Sequence, residues 1–120
     1  MAHPVVHFEI IGQDAAKLRS FYAAAFDWDV GRPDPNLGGY ALVKPAAPGH
    51  IGGGIGGGVE GYEGHVTFYV AVDDIDAALA KIGELGGTRL MGPEPLPDGA
   101  RFAMIADPEG HVIGLVQGPE

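Results

Sequence analysis

Five side chains on two short segments have the types and spacing to do chemistry. In Val5-Val-His-Phe-Glu-Ile-Ile11, strand alternation puts His7 and Glu9 on one face and Val6, Phe8 and Ile10 on the other. His65-Val-Thr-Phe-Tyr-Val70 alternates the same way and gives His65, Thr67 and Tyr69 a common face. The two imidazoles, His7 and His65, are the leading candidate site residues. Glu9 is a candidate general base or anion partner, and the Tyr69 hydroxyl is a candidate donor to a ligand oxygen. Together His7, Glu9, His65, Thr67 and Tyr69 form the expected ligand-binding set, with Glu9 and Tyr69 its catalytic candidates. The competing role for each is a satisfied polar group on a sheet face. His3, His50 and His111 stand at a terminus or beside turns, where solvated or turn-stabilising roles are expected.

The elements that must position these residues repeat. The first strand leads to Asp14, a candidate N-cap for a helix ending near Phe26, with Leu18, Phe21, Tyr22, Ala25 and Phe26 as its apolar stripe. Three short β candidates follow, at Trp28 to Gly31, Gly39 to Lys44 and around Ile51 to Ile55. After His65 the order restarts. Asp73 or Asp74 caps a second helix striped by Ile75, Ala78, Leu79, Ile82 and Leu85, and Gly86-Gly87 stops it. Strands near Thr88 to Met91, Arg101 to Ala106 and His111 to Gln117 complete the copy. Asp107-Pro-Glu-Gly110 is a type I turn that makes a hairpin of the last two. The fold class is α+β, two tandem βαβββ modules in a single domain over 1–120, module one about 4–58 and module two about 64–118. The period of about sixty residues is longer than that of solenoids.

Composition removes several functions. Seven basic against sixteen acidic residues give a net charge of −9, which repels phosphate backbones and anionic lipid, so nucleic acid and membranes are not expected partners. The N-terminal residues lack a signal-peptide pattern and no apolar run is long enough to span a bilayer, so a cytoplasmic address is expected. The chain contains no cysteine, which removes disulfides, thiolate metal sites and cysteine nucleophiles. Ser20 is the only serine and lies in a helical pattern, which argues against a serine hydrolase. Gly52 to Gly58 contains a Gly-x-Gly-x-x-Gly spacing, but no helix follows it to cradle a phosphate. Its glycines are expected to let the strand bend or let backbone approach a ligand or partner closely.

Three stretches carry a family resemblance: His7-Phe-Glu-Ile10 followed by Leu18 through Trp28, Val72 through Ala78 leading to Leu85-Gly-Gly87, and Asp107-Pro-Glu-Gly-His111. In order and spacing they resemble the vicinal-oxygen-chelate superfamily, which includes glyoxalase I, extradiol dioxygenases and bleomycin-binding proteins, over essentially the whole chain. The resemblance implies curled mixed sheets, a homodimer and a ligand site in a concave surface. Metal-using members offer His or carboxylate from the first and last strands of each module, around an ion that acts as a Lewis acid. His7 and His65 match the first-strand positions. Gly114 stands at the usual carboxylate position of module two, and the last strand of module one also offers only glycine. Half of that set therefore has no donor atom, and two imidazoles alone hold a divalent ion loosely. Glu9 is the one residue that would complete a two-histidine, one-carboxylate set.

The expected function is thus a small-molecule-binding protein of the glyoxalase/bleomycin-resistance kind, taking an apolar or aromatic ligand with no cofactor. The alternative is a divalent-metal-dependent lyase, isomerase or dioxygenase using His7 and His65. Tyr22, Trp28, Tyr40, Tyr62 and Phe102 are the further aromatics available to line a pocket.

Overall fold

A computed structural model describes residues 2–118. The elements run β1 (Val5–Gly12), α1 (Ala15–Phe26), β2 (Ala41–Val43), β3 (Gly52–Gly57), β4 (His65–Ala71), α2 (Ile75–Glu84), β5 (Thr88–Pro95), β6 (Arg101–Ala106) and β7 (Val112–Gln117). They form two compact units. One spans His7–Val66; the other combines the residues up to Val6 with those from Thr67 onward. The unit boundaries fall inside β1 and β4, not at the start of the second element copy.

In the unit His7–Val66, β3 lies between β1, which it meets in parallel, and β2, which it meets antiparallel. Asp14 begins α1, its side chain accepting from the Lys17 N–H at 3.0 Å. Leu18 and Tyr22, one turn apart, pack with Phe8, Trp28 and Val30 against Ile10, Val43 and Ile55. Phe21 and Phe26 were expected on the same stripe, yet each is 59% exposed. They lie at the margins of the face centred on Leu18 and Tyr22. The strand expected at Trp28 to Gly31 reduces to one bridge, Val30 to Val43. Pro33 and Pro35 follow at once and a 3-10 turn, Pro35–Leu37, takes up the chain before a ladder can extend.

In the other unit the strand order is β4-β7-β6-β5, with β4 parallel to β7 and the remaining pairs antiparallel. Of the two aspartates that could cap α2, Asp74 does so, accepting from the Ala77 N–H at 3.1 Å, and the Gln117 side chain takes the Ile75 N–H at 2.7 Å. Ile75, Ala78, Leu79 and Ile82 pack with Val72, Ala103, Ile105 and Leu115, whereas Leu85, at the helix end, is exposed. Asp74→Ala is expected to cost about 1 kcal/mol, the usual value of an N-cap, read from a thermal melt. The turn at Asp107 forms as expected, with the Gly110 N–H on the Asp107 carbonyl at 2.9 Å, and it joins β6 to β7 as a hairpin. Backbone N–H groups of His111 and Glu109 bond the Asp107 carboxylate, and with the His111 ring they hold its pKa below the usual value.

Candidate functional site

β1 places Glu9 as a buried carboxylate beside Ile10, 5% exposed. Its Oε2 lies 2.6 Å from His65 Nε2, and the His65 ring is itself largely enclosed, at 14% exposure. The other His65 nitrogen, Nδ1, is hydrogen-bonded to the Tyr62 hydroxyl, and the two rings meet edge to face at 5.6 Å. The backbone makes this three-residue contact possible at Gly64, whose φ of +120° turns the chain back. A Cβ there would run into the Ile11 carbonyl. Glu9, Tyr62 and His65 thus form a continuous chain of hydrogen bonds from a buried carboxylate to a side chain that is 39% exposed.

His7 takes a different partner. Its Nε2 lies 2.8 Å from the Tyr40 hydroxyl. Burial lowers its pKa below 6.5, with the nearby Glu9 charge acting in the opposite sense. Because folded His7 resists the proton that the unfolded chain takes up near 6.5, its contribution to stability is complete above that pH. It is lost as the pH falls from 6.5 through the lower folded value. Thermal melts from neutral to mildly acidic pH are expected to show Tm falling over that interval, with a shallower fall in His7→Gln.

The glycines explain the tyrosines. Gly54 pairs with Glu9 across β1 and β3, and the Tyr40 ring lies over it so closely that a Cβ would sit inside the ring contact. In the other unit Gly114 pairs with Tyr69, and a Cβ there would meet the Tyr69 ring at 2.5 Å. Gly54 and Gly114 therefore each have a tyrosine ring in the space a side chain would use. The Tyr69 hydroxyl, expected to reach a ligand, donates to Met104 Sδ at 3.3 Å, and Tyr69 is 9% exposed. Thr67 is likewise buried, its hydroxyl donating to the Val112 carbonyl. The expected set thus divides: His65 and Glu9 meet directly, His7 turns to Tyr40, and Thr67 and Tyr69 take partners within the unit they share.

These residues do not fit the metal centre that the resemblance implies. The last strands bring no donor, the Tyr69 ring covers Gly114, and both His65 nitrogens already have partners. Among the described residues no three His, Asp or Glu side chains are grouped so as to hold an ion.

Two of the concavities in the unit His7–Val66 carry aromatic side chains near these residues. One, of about 510 Å³, is lined by Phe8, Phe26, Trp28, Lys44, His50 and Ile51 among others. Its aromatic wall is continuous, with Phe8 and Phe26 at 5.0 and 5.4 Å from Trp28 and Tyr22 stacked on it at 5.3 Å. The other, of about 400 Å³, is lined by Gln13 and residues 58–63, Tyr62 included. Tyr62 was visible in the sequence only as one aromatic among several. Its placement three residues before His65, between Gly61 and Gly64, is the signal that marks it.

Residues 5–115 match the Glyoxalase/Bleomycin resistance protein/Dioxygenase superfamily, and the chain belongs to that family. Over 78 residues, 65% of this chain, it is 34% identical to “Putative glyoxylase CFP32” of Mycobacterium bovis and of Mycobacterium tuberculosis. The match spans 30% of the length of those relatives. Among solved structures, methylmalonyl-CoA epimerase of Streptomyces coelicolor in complex with 2-nitronate-propionyl-CoA is 20% identical with a TM-score of 0.72, covering 98% of this chain and 96% of that one. A hypothetical protein of Bacillus halodurans is 17% identical with a TM-score of 0.73, covering 100% and 97%. These likenesses establish the α+β glyoxalase/bleomycin-resistance fold. Among the described residues no helix is long and apolar enough to cross a membrane.

Proposed function

We propose that this domain binds a small apolar or aromatic molecule, as a homodimer in the cytoplasm, without the shared metal centre of its superfamily. The observation that carries the reading is that neither last strand brings a donor atom: Gly114 stands at the usual carboxylate position with the Tyr69 ring in its side-chain space, and β3 offers glycines, one of which, Gly54, lies under the Tyr40 ring. The aromatic-walled cavity at Phe8, Phe26 and Trp28 supplies a surface suited to a planar ligand. A second reading, a metal-dependent lyase, isomerase or dioxygenase using His7 and His65, would require the Glu9–His65 hydrogen bond to open before either residue could hold an ion.

Elemental analysis of protein purified without chelators, followed by titration with Fe, Mn, Ni, Co and Zn ions, separates the two. No stoichiometric ion is expected. One tightly held ion per chain, lost on replacing His7 or His65, would refute the metal-free reading and favour the second. Trp28 is the only tryptophan and lines the aromatic cavity, so its fluorescence reports occupancy by planar probes such as anilinonaphthalene sulfonate.

A further inference from the structure

We propose that Tyr62 is a base-activated nucleophile that accepts acyl groups from small activated esters entering the cavity formed by Gln13 and residues 58–63. The buried Glu9 carboxylate, 2.6 Å from His65 Nε2, favours the tautomer with the proton on Nε2, where it donates to the carboxylate. Nδ1 is then the ring's lone pair, and the Tyr62 hydroxyl donates to it. The order carboxylate, imidazole, hydroxyl is the arrangement by which a triad withdraws a proton from a nucleophilic oxygen. With its proton directed to Nδ1, the Tyr62 oxygen keeps its lone pairs, and Tyr62 is one of the residues that line the cavity.

The step balances without a further reactant. The Tyr62 oxygen attacks the ester carbonyl carbon, forming a C–O bond as the Tyr62 proton passes to His65 Nδ1. The tetrahedral adduct collapses with loss of the alcohol or phenol, which leaves as an anion or takes the proton back from the imidazolium. Glu9 stabilises that imidazolium while it lasts. The reactivity depends on proton transfer to His65 Nδ1 along the hydrogen bond that already joins the two groups.

This goes beyond the binding proposed above and involves no metal, so either can fail alone. The test treats metal-free protein with 4-nitrophenyl acetate at neutral pH, follows nitrophenolate release, and maps the acetyl group by peptide mass spectrometry. N-acetyltyrosinamide is the reference, because an exposed but unactivated tyrosine cannot react faster than the free phenol. Tyr62 is expected to acetylate at least about tenfold faster than the reference, with the advantage lost in His65→Gln and reduced in Glu9→Gln. Tyr62→Phe removes the acetylated peptide. A Tyr62 rate at or below the reference in the folded wild-type protein overturns the proposal, and so does an advantage unchanged in folded His65→Gln. Should His65→Gln fail to fold, the wild-type comparison and loss of the advantage in denaturant decide the matter.

Discussion

Gly114→Ala is expected to destabilise the protein by about 1–3 kcal/mol, the cost of forcing extra volume into a packed site. The new methyl would meet the Tyr69 ring at 2.5 Å, near the ring's root, where rotation about a distal bond gives no relief. Tyr69 is 9% exposed and its hydroxyl is engaged by Met104 Sδ, so displacement costs packing and a polar contact together. Tyr69→Ala alone is expected to lose about 3–5 kcal/mol, as large-to-small changes at buried aromatic positions do. The diagnostic result is the double variant. If ring and glycine occupy one space, Gly114→Ala on the Tyr69→Ala background costs far less than on the wild type, and urea unfolding reads the difference as a coupling energy. Strict additivity would refute the account of the glycine given above.

The second large effect is at His65. His65→Ala removes the imidazole partner of a buried carboxylate and is expected to cost about 1.5–3 kcal/mol, the range for a hydrogen bond to a charged group. His65→Gln keeps an N–H donor of similar reach and is expected to recover a substantial part of that loss. Thermal and urea unfolding of the two variants beside the wild type checks the ordering. Equal losses in both would mean that packing of the ring, and not its bond to Glu9, supplies the stability.

Most of the fold was legible because alternation and helical spacing report burial directly. β4 could be read from His65-Val-Thr-Phe-Tyr-Val, and α2 from its stripe and the glycines that stop it. What failed was whatever depended on contacts across elements. Trp28 to Gly31 has strand composition, but whether it extends beyond the Val30 bridge is decided by the prolines that follow. Phe21 and Phe26 satisfy helical periodicity, yet the width of the sheet beneath them decides which of the stripe is covered.

The site divides the same way. That His7, His65 and Glu9 carry the relevant donors was legible, and so was the lack of a donor at Gly114. Face-sharing on β1 associates Glu9 with His7; the structure joins Glu9 to His65. A strand's period says which side a group is on, not which neighbour it reaches. The tyrosines over Gly54 and Gly114 were invisible for a related reason, since ring placement follows from register and rotamer, neither of which local sequence specifies.

The Tyr40–Gly54 contact has a bearing on the paths open to this sequence in evolution. A carboxylate introduced at residue 54 meets the Tyr40 ring, while loss of the ring at residue 40 first leaves a void and removes the partner of His7. Either order of change passes through a less stable intermediate, and a carboxylate at residue 54 would also stand opposite the buried Glu9 across β1 and β3. Such reciprocal dependence acts as a ratchet: a lineage that has acquired the pair is held to it by selection for folding alone, whatever its ligand.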